Sequence, residues 1–194
     1  MIRQGSPLGN GHAVLLAKEA VGDEPFAMLW GDDIVVGERP FVRQLIDAYE
    51  RTGGSVVGVI SVPPEEATKY GVIEVAERLD SRLVRASRIV EKPPANEVPS
   101  NLAAVAGYLL TPDIFEYLEQ TSAGTGGEIW LADGVQQIAA RGNLYALEFE
   151  GRRYDAGNKL EFLQATVDLA LERDDLGPAL RAYLEEKLRT PVAG

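Results

Sequence analysis

Cysteine is absent from the 194 residues. Disulfides, thiolate nucleophiles and Cys-ligated zinc are therefore excluded. Histidine occurs once, as His12, too few for a His-rich metal site. Positive charge is also scarce: 19 Lys and Arg stand against 30 Asp and Glu, a net charge of −11. A nucleic-acid surface needs clustered cations, so none is expected. Apolar runs of membrane-spanning length are lacking, because charge, Pro or Gly interrupts them. The opening Met1-Ile2-Arg3-Gln4-Gly5 lacks the apolar block of a secretory signal. These absences predict a cytoplasmic protein with no membrane and no nucleic-acid partner. Any phosphate must be handled by a few groups: a lysine, backbone N–H groups, or a metal held by carboxylates.

What is present suits one α/β core over residues 1–194, since 45% of the chain is hydrophobic. Helical spacing runs from Gly11 to Val21 and from Pro40 to Thr52, the latter stopped by Gly53-Gly54. Pro25 to Val36 reads as a buried strand followed by a functional loop. Ser55 to Val62, Gly71 to Ala76, Leu83 to Glu91, Leu102 to Leu110 and Asn143 to Glu150 read as further strands. Thr111-Pro112 starts a helix with Thr as N-cap, and Trp130 to Arg141 forms another, stopped by Gly142. Lys159 to Arg173 and Pro178 to Leu188 are amphipathic helices. Pro93 to Ser100 is a surface loop. The alternation predicts an α/β fold with a mixed, mainly parallel sheet flanked by helices.

Several short patterns could carry chemistry. Asp32-Asp33 follow an apolar strand at its carboxyl end, where α/β sheets place ligand groups. Paired acids there suit Mg²⁺, which takes one or two carboxylates plus phosphate oxygens; the bland alternative is a polar loop. Asp155, in Tyr154-Asp155-Ala156-Gly157-Asn158, is a second such acid or a turn residue. At Glu91-Lys92-Pro93 a lysine at a strand end can meet a phosphate, while the glutamate, pointing elsewhere, can accept from sugar hydroxyls. The Gly-rich turn from Gln4 to Ala13 allows close backbone approach to a planar ligand, and the Gln4 amide could read a base edge. His12 has no orienting partner in the sequence and reads as a helix-start residue. Gly71 leaves room for a sugar ring at a strand start. Glu128 is a sugar ligand or a first-turn helix acid.

In order, RQGSPLGNGHAV, LWGDDIV, YGVIEV, VEKPP, PSNLAAVAGYLL, GTGGEIWLAD and YDAGNKLEF closely resemble the bacterial UTP–glucose-1-phosphate uridylyltransferases. The resemblance runs from about Arg3 to the last helix. It implies a Rossmann-like nucleotide-diphospho-sugar transferase fold and a Mg²⁺-dependent nucleotidyl transfer from UTP to glucose 1-phosphate. By position, Gln4 and Gly9 match the residues at the uracil edge. Asp32 matches the first Mg²⁺ carboxylate and Asp155 the second acid at the metal. Gly71 matches the glycine beside the sugar, Glu91 the hexose-hydroxyl ligand, and Lys92 the lysine on the sugar phosphate. Glu128 falls in the sugar-site block, whereas Asp33 has no equivalent. Lys92 and Asp32 are thus the expected catalytic residues, and a homo-oligomer is implied.

One family feature is missing. The GxGTR loop that wraps the nucleotide phosphates, with its following lysine, does not occur. The resemblance therefore leads us to expect an N-terminally truncated domain, short by roughly 100 residues. The strand around Phe26 to Trp30 should then have an open apolar edge. Two other readings stand beside the enzyme. One is a non-catalytic sugar-phosphate-binding or partner-complementing module. The other is a thymidylyl or other hexose-1-phosphate nucleotidyltransferase.

Overall fold

Alternating apolar runs and helical stripes become eight strands and eight helices in the computed structural model, which describes residues 1–121 and 127–189. In chain order the strands are β1 (Phe26–Leu29), β2 (Asp33–Val36), β3 (Ser55–Ser61), β4 (Gly71–Arg78), β5 (Leu83–Glu91), β6 (Leu102–Leu110), β7 (Leu144–Glu148) and β8 (Arg152–Asp155). The helices are α1 (Asn10–Leu15), α2 (Lys18–Val21), α3 (Phe41–Thr52), α4 (Pro64–Ala67), α5 (Asp113–Gln120), α6 (Leu131–Ala140), α7 (Lys159–Leu171) and α8 (Gly177–Arg189). They group into two compact units. One comprises Met1–Trp30 with Val36–Gly151, the other Gly31–Val35 with Arg152–Gly194. None of the described helices is long and apolar enough to cross a membrane.

The first unit is built on a six-stranded sheet of order β1-β6-β3-β7-β5-β4. The sheet is mixed, as expected, but "mainly parallel" needs correcting. Among the described pairings of this six-stranded sheet only β3 and β7 run parallel; β1, β3 and β4 all meet β6 antiparallel, and β5 meets both β4 and β7 antiparallel. The cause is local. β4 and β5 are joined by a tight turn at Asp80, whose Oδ1 accepts from the N–H groups of Arg82 and Leu83. A connection that short can join only antiparallel neighbours.

β6 is the spine of this sheet. β3 flanks one of its sides, from Val56↔Leu109 to Ser61↔Leu102. The other side is shared: β1 pairs with Gly107 to Leu110, and the first residues of β4 pair with Ala103 and Ala104. β1 and β4 therefore part company along β6 and leave a crevice between them. β6 is irregular at that point. Ala106 has φ +66° and Gly107 φ +150°, opposite a register shift between Val57 and Val59. Bulges of this kind re-aim side chains, and Tyr108 lines the crevice.

The apolar faces of α5 and α6 cover one side of the sheet. Ile114, Leu118, Val135 and Ile138 join Val57, Ile73 and Leu144 in one buried cluster. Removing this surface from water is the main stabilising term. α3 contributes the buried Phe41, Leu45 and Ala48 and ends where read, at Gly53 with φ +71°.

Three local readings change. The segment 11–21 is two short helices rather than one. Pro25 to Val36 is not one buried strand with a loop: β1 alternates between half-buried and exposed, and β2 is separate. Thr111 does not cap α5, whose N-cap is Pro112. Its hydroxyl instead meets Ser55 Oγ and donates to Asp113 Oδ1. The second unit contains β2 paired with β8, followed by α7 and α8. Asn158 caps α7 by accepting from the N–H groups of Leu160 and Glu161.

Candidate functional site

The crevice between β1 and β4 gathers the polar end of β5. Strand alternation should send Glu91 and Lys92 to opposite faces. It does not, because Lys92 leaves the strand with φ +44°. Its N–H is held by the Tyr70 carbonyl at 2.9 Å. Glu91 and Lys92 consequently line the same cavity, of about 420 Å³, together with Trp30, Tyr108, Trp130 and Asp133. Their charged ends lie 3.9 Å apart. The expectation that Glu91 points away from Lys92 is thus overturned by one backbone torsion.

Gly71 stands opposite Glu91 in the β4–β5 register. A Cβ there would lie 3.1 Å from Glu91 Oε2 and 3.0 Å from Ile89 Cγ2, so the glycine leaves space for the carboxylate. Tyr108 is buried, and burial first, then the nearby Glu91 carboxylate, raise its hydroxyl well above the usual tyrosine range. It stays a hydrogen-bond donor. Among the described residues the crevice thus offers two cations, Lys92 and Lys69, acceptors at Glu91 and Asp133, a phenol donor and two indole walls. That set suits a phosphorylated polyol with an apolar ring face. Trp30, Tyr108, Trp130 and Asp133 were not singled out from the sequence. Lone aromatics and helix acids carry no signal until β6 and α6 bring them together.

The Gly-rich turn packs on the segment before α6. Ile129 N–H donates to the Leu8 carbonyl, Gly11 N–H to the Ile129 carbonyl, and Leu131 N–H to Asn10 Oδ1. Gly9 is required here: its φ is +92° and a Cβ would come within 2.4 Å of the Ile129 oxygen. This pairing brings Gln4 and Gly9 onto the same segment as Glu128 and Trp130. Glu128 is half-buried and is not among the residues lining the Lys92 cavity. Residues 124–126 of its block lie outside the described residues. The Gln4 amide nitrogen is 3.0 Å from the Gly9 carbonyl and 2.9 Å from His12 Nδ1. His12 therefore has a partner after all, eight positions earlier in the chain.

In the second unit, Asp32 and Asp155 approach one another across Gly157. A Cβ on Gly157 would lie 3.0 Å from Asp155 Oδ1 and 3.4 Å from Asp32 Oδ2. Asp155 Oδ1 also accepts from Gly157 N–H, and the Ala156 N–H donates to the Asp32 carbonyl. No group of three or more His, Cys, Asp or Glu with metal-ligand geometry occurs among the described residues. Mg²⁺ does not need one, since water and phosphate oxygens complete its shell. The two facing carboxylates fit such an ion. Asp33 has a different role: it is buried against Arg153 at 2.5 Å, and Arg153 also lies 3.5 Å from Asp155.

A family model described as nucleotidyl transferase matches residues 1–172. The chain is 46% identical over 184 residues to the UTP–glucose-1-phosphate uridylyltransferase of Bacillus subtilis strain 168, covering 95% of this chain and 63% of that protein. A UTP-bound UGPase from Acinetobacter baumannii superposes with a TM-score of 0.86 at 34% identity, covering 95% and 64% of the two chains. A UDP-glucose pyrophosphorylase complexed with UDP-glucose gives a TM-score of 0.81 at 36% identity, covering 89% and 66%. The chain thus spans just under two thirds of the length of these relatives.

Proposed function

The chain belongs to the nucleotidyl transferase family, and on that premise we propose that it carries the sugar-phosphate and metal-binding residues of a UTP–glucose-1-phosphate uridylyltransferase. The observation that carries this reading is the turn of Lys92 out of β5, which sets its ammonium beside Glu91 in one cavity, with Gly71 facing the same carboxylate from β4. In the proposed reaction a phosphate oxygen of glucose 1-phosphate attacks the α-phosphorus of UTP. The P–O bond to the leaving pyrophosphate breaks as the new one forms. The nucleophile is already anionic, so no general base is needed. What remains is positioning and charge compensation.

Lys92 holds the sugar phosphate, and Glu91 and Tyr108 hold sugar hydroxyls. Asp32 and Asp155 would hold Mg²⁺, whose charge compensates the nucleotide phosphates when it is bound. Cytoplasmic residence and self-association are part of the same proposal. α7 exposes Leu160, Phe162 and Leu163, apolar area that a second copy would remove from water. The test of the reaction is pyrophosphate release from UTP and glucose 1-phosphate with Mg²⁺. Release that depends on Lys92 and Asp32 supports it. Binding of glucose 1-phosphate without release would favour a non-catalytic sugar-phosphate module.

A further inference from the structure

The Gln4 amide meets two groups that differ in what they can do. The Gly9 carbonyl can only accept, so the amide atom 3.0 Å from it is the nitrogen. That nitrogen is also 2.9 Å from His12 Nδ1. It carries two hydrogens, and both are thereby used. His12 Nδ1 must accept, which places the ring proton on Nε2. Gln4 Oε1 has no donor among the described residues. The turn is tied to the segment before α6, because Gly9 packs against Ile129 and Gly11 N–H donates to the Ile129 carbonyl.

We propose that His12 is a positioning residue for base selection: with the Gly9 carbonyl it takes both amide hydrogens of Gln4 and leaves Oε1 as the atom presented to a nucleobase. An outward acceptor favours a pyrimidine with an imide N–H at its edge, such as uracil. It opposes cytosine, whose ring nitrogen at that place is itself an acceptor. This inference rests on the reading that the chain meets UTP and that Gln4 lies at the base edge. Without His12 the amide keeps one anchor and can pivot about it. Losing one hydrogen bond of about 1 kcal/mol corresponds to roughly fivefold in discrimination.

Two measurements test this on the full chain. His12 is its sole histidine, so long-range ¹H–¹⁵N spectra of labelled protein at pH 8 report one imidazole. The expected tautomer has the proton on Nε2; a proton on Nδ1 overturns the proposal. The second is competition binding of UTP against CTP, in the wild type and in His12→Asn and His12→Ala. Asparagine keeps an acceptor at the same bond distance from Cβ as Nδ1, so His12→Asn should retain the preference for UTP. His12→Ala should lose about fivefold of it, with glucose 1-phosphate binding unchanged. An unaltered preference in His12→Ala overturns the role of His12 alone. A wild type that binds both nucleotides equally removes Gln4 from the base edge, and the underlying reading is what fails.

Discussion

Lys92 holds a left-handed backbone conformation that costs a non-glycine residue roughly 1 kcal/mol, and it precedes a proline, which adds its own restriction. Strain of this sort persists where the surrounding structure over-determines it, typically at ligand sites. Lys92→Gly should relieve it, raising stability by about 0.5–1 kcal/mol in urea unfolding, while glucose 1-phosphate binding is lost. A variant that is both less stable and still competent would contradict the assignment. Gly71→Ala should act differently. Its new Cβ would press on the Glu91 carboxylate, weakening sugar binding about tenfold through a lost charged hydrogen bond, with stability changed by less than about 1 kcal/mol. Glu91, Lys92 and Gly71 were singled out in sequence because their spacing and order matched a known pattern. That Glu91 and Lys92 share a cavity was not legible, because it depends on a torsion that strand alternation forbids.

Elements read from periodicity were most secure where the core is deep. β3, β6, α3 and α6 sit close to where their apolar spacing places them. β2 and β8 were hidden because each is four residues long and carries charge, and their partners are distant in sequence. Charge also holds the second unit together. Asp33 and Arg153 are 5% and 12% exposed and are joined at 2.5 Å. Asp33→Ala leaves a buried guanidinium short of its main partner and should cost about 3 kcal/mol, read as a lower urea midpoint. Asp33→Asn, which can still accept, should cost less. At the β4–β5 turn, the N–H of Arg82 first, then the Arg51 guanidinium, lower the Asp80 carboxyl from 3.8 to about 2. A lowered folded value means stability that is present above the unfolded value and lost as pH falls from about 4 towards 2. Asp80 is 36% exposed, so screening keeps the effect modest. Thermal unfolding of Asp80→Asn should show a shallower loss across that window than the wild type. An identical slope would remove Asp80 from the acid response.

For the whole molecule, composition and alternation sufficed for an α/β fold with a mixed sheet, yet not for the sheet's predominantly antiparallel pairing. Strand direction follows from connection lengths and from the way β1 and β4 share one side of β6, and neither leaves a periodic trace. That shared side is what opens the crevice, so architecture and proposed site have a common origin. The central claim is that this crevice takes a sugar phosphate through Lys92. Calorimetric titration of glucose 1-phosphate into the wild-type chain and Lys92→Ala tests it most directly. Lys92 is 68% exposed, so the substitution should leave folding within about 0.5 kcal/mol of the wild type. The account predicts binding by the wild type and at least tenfold weaker binding by Lys92→Ala. Equal affinity in the two, with both cooperatively folded, would contradict it.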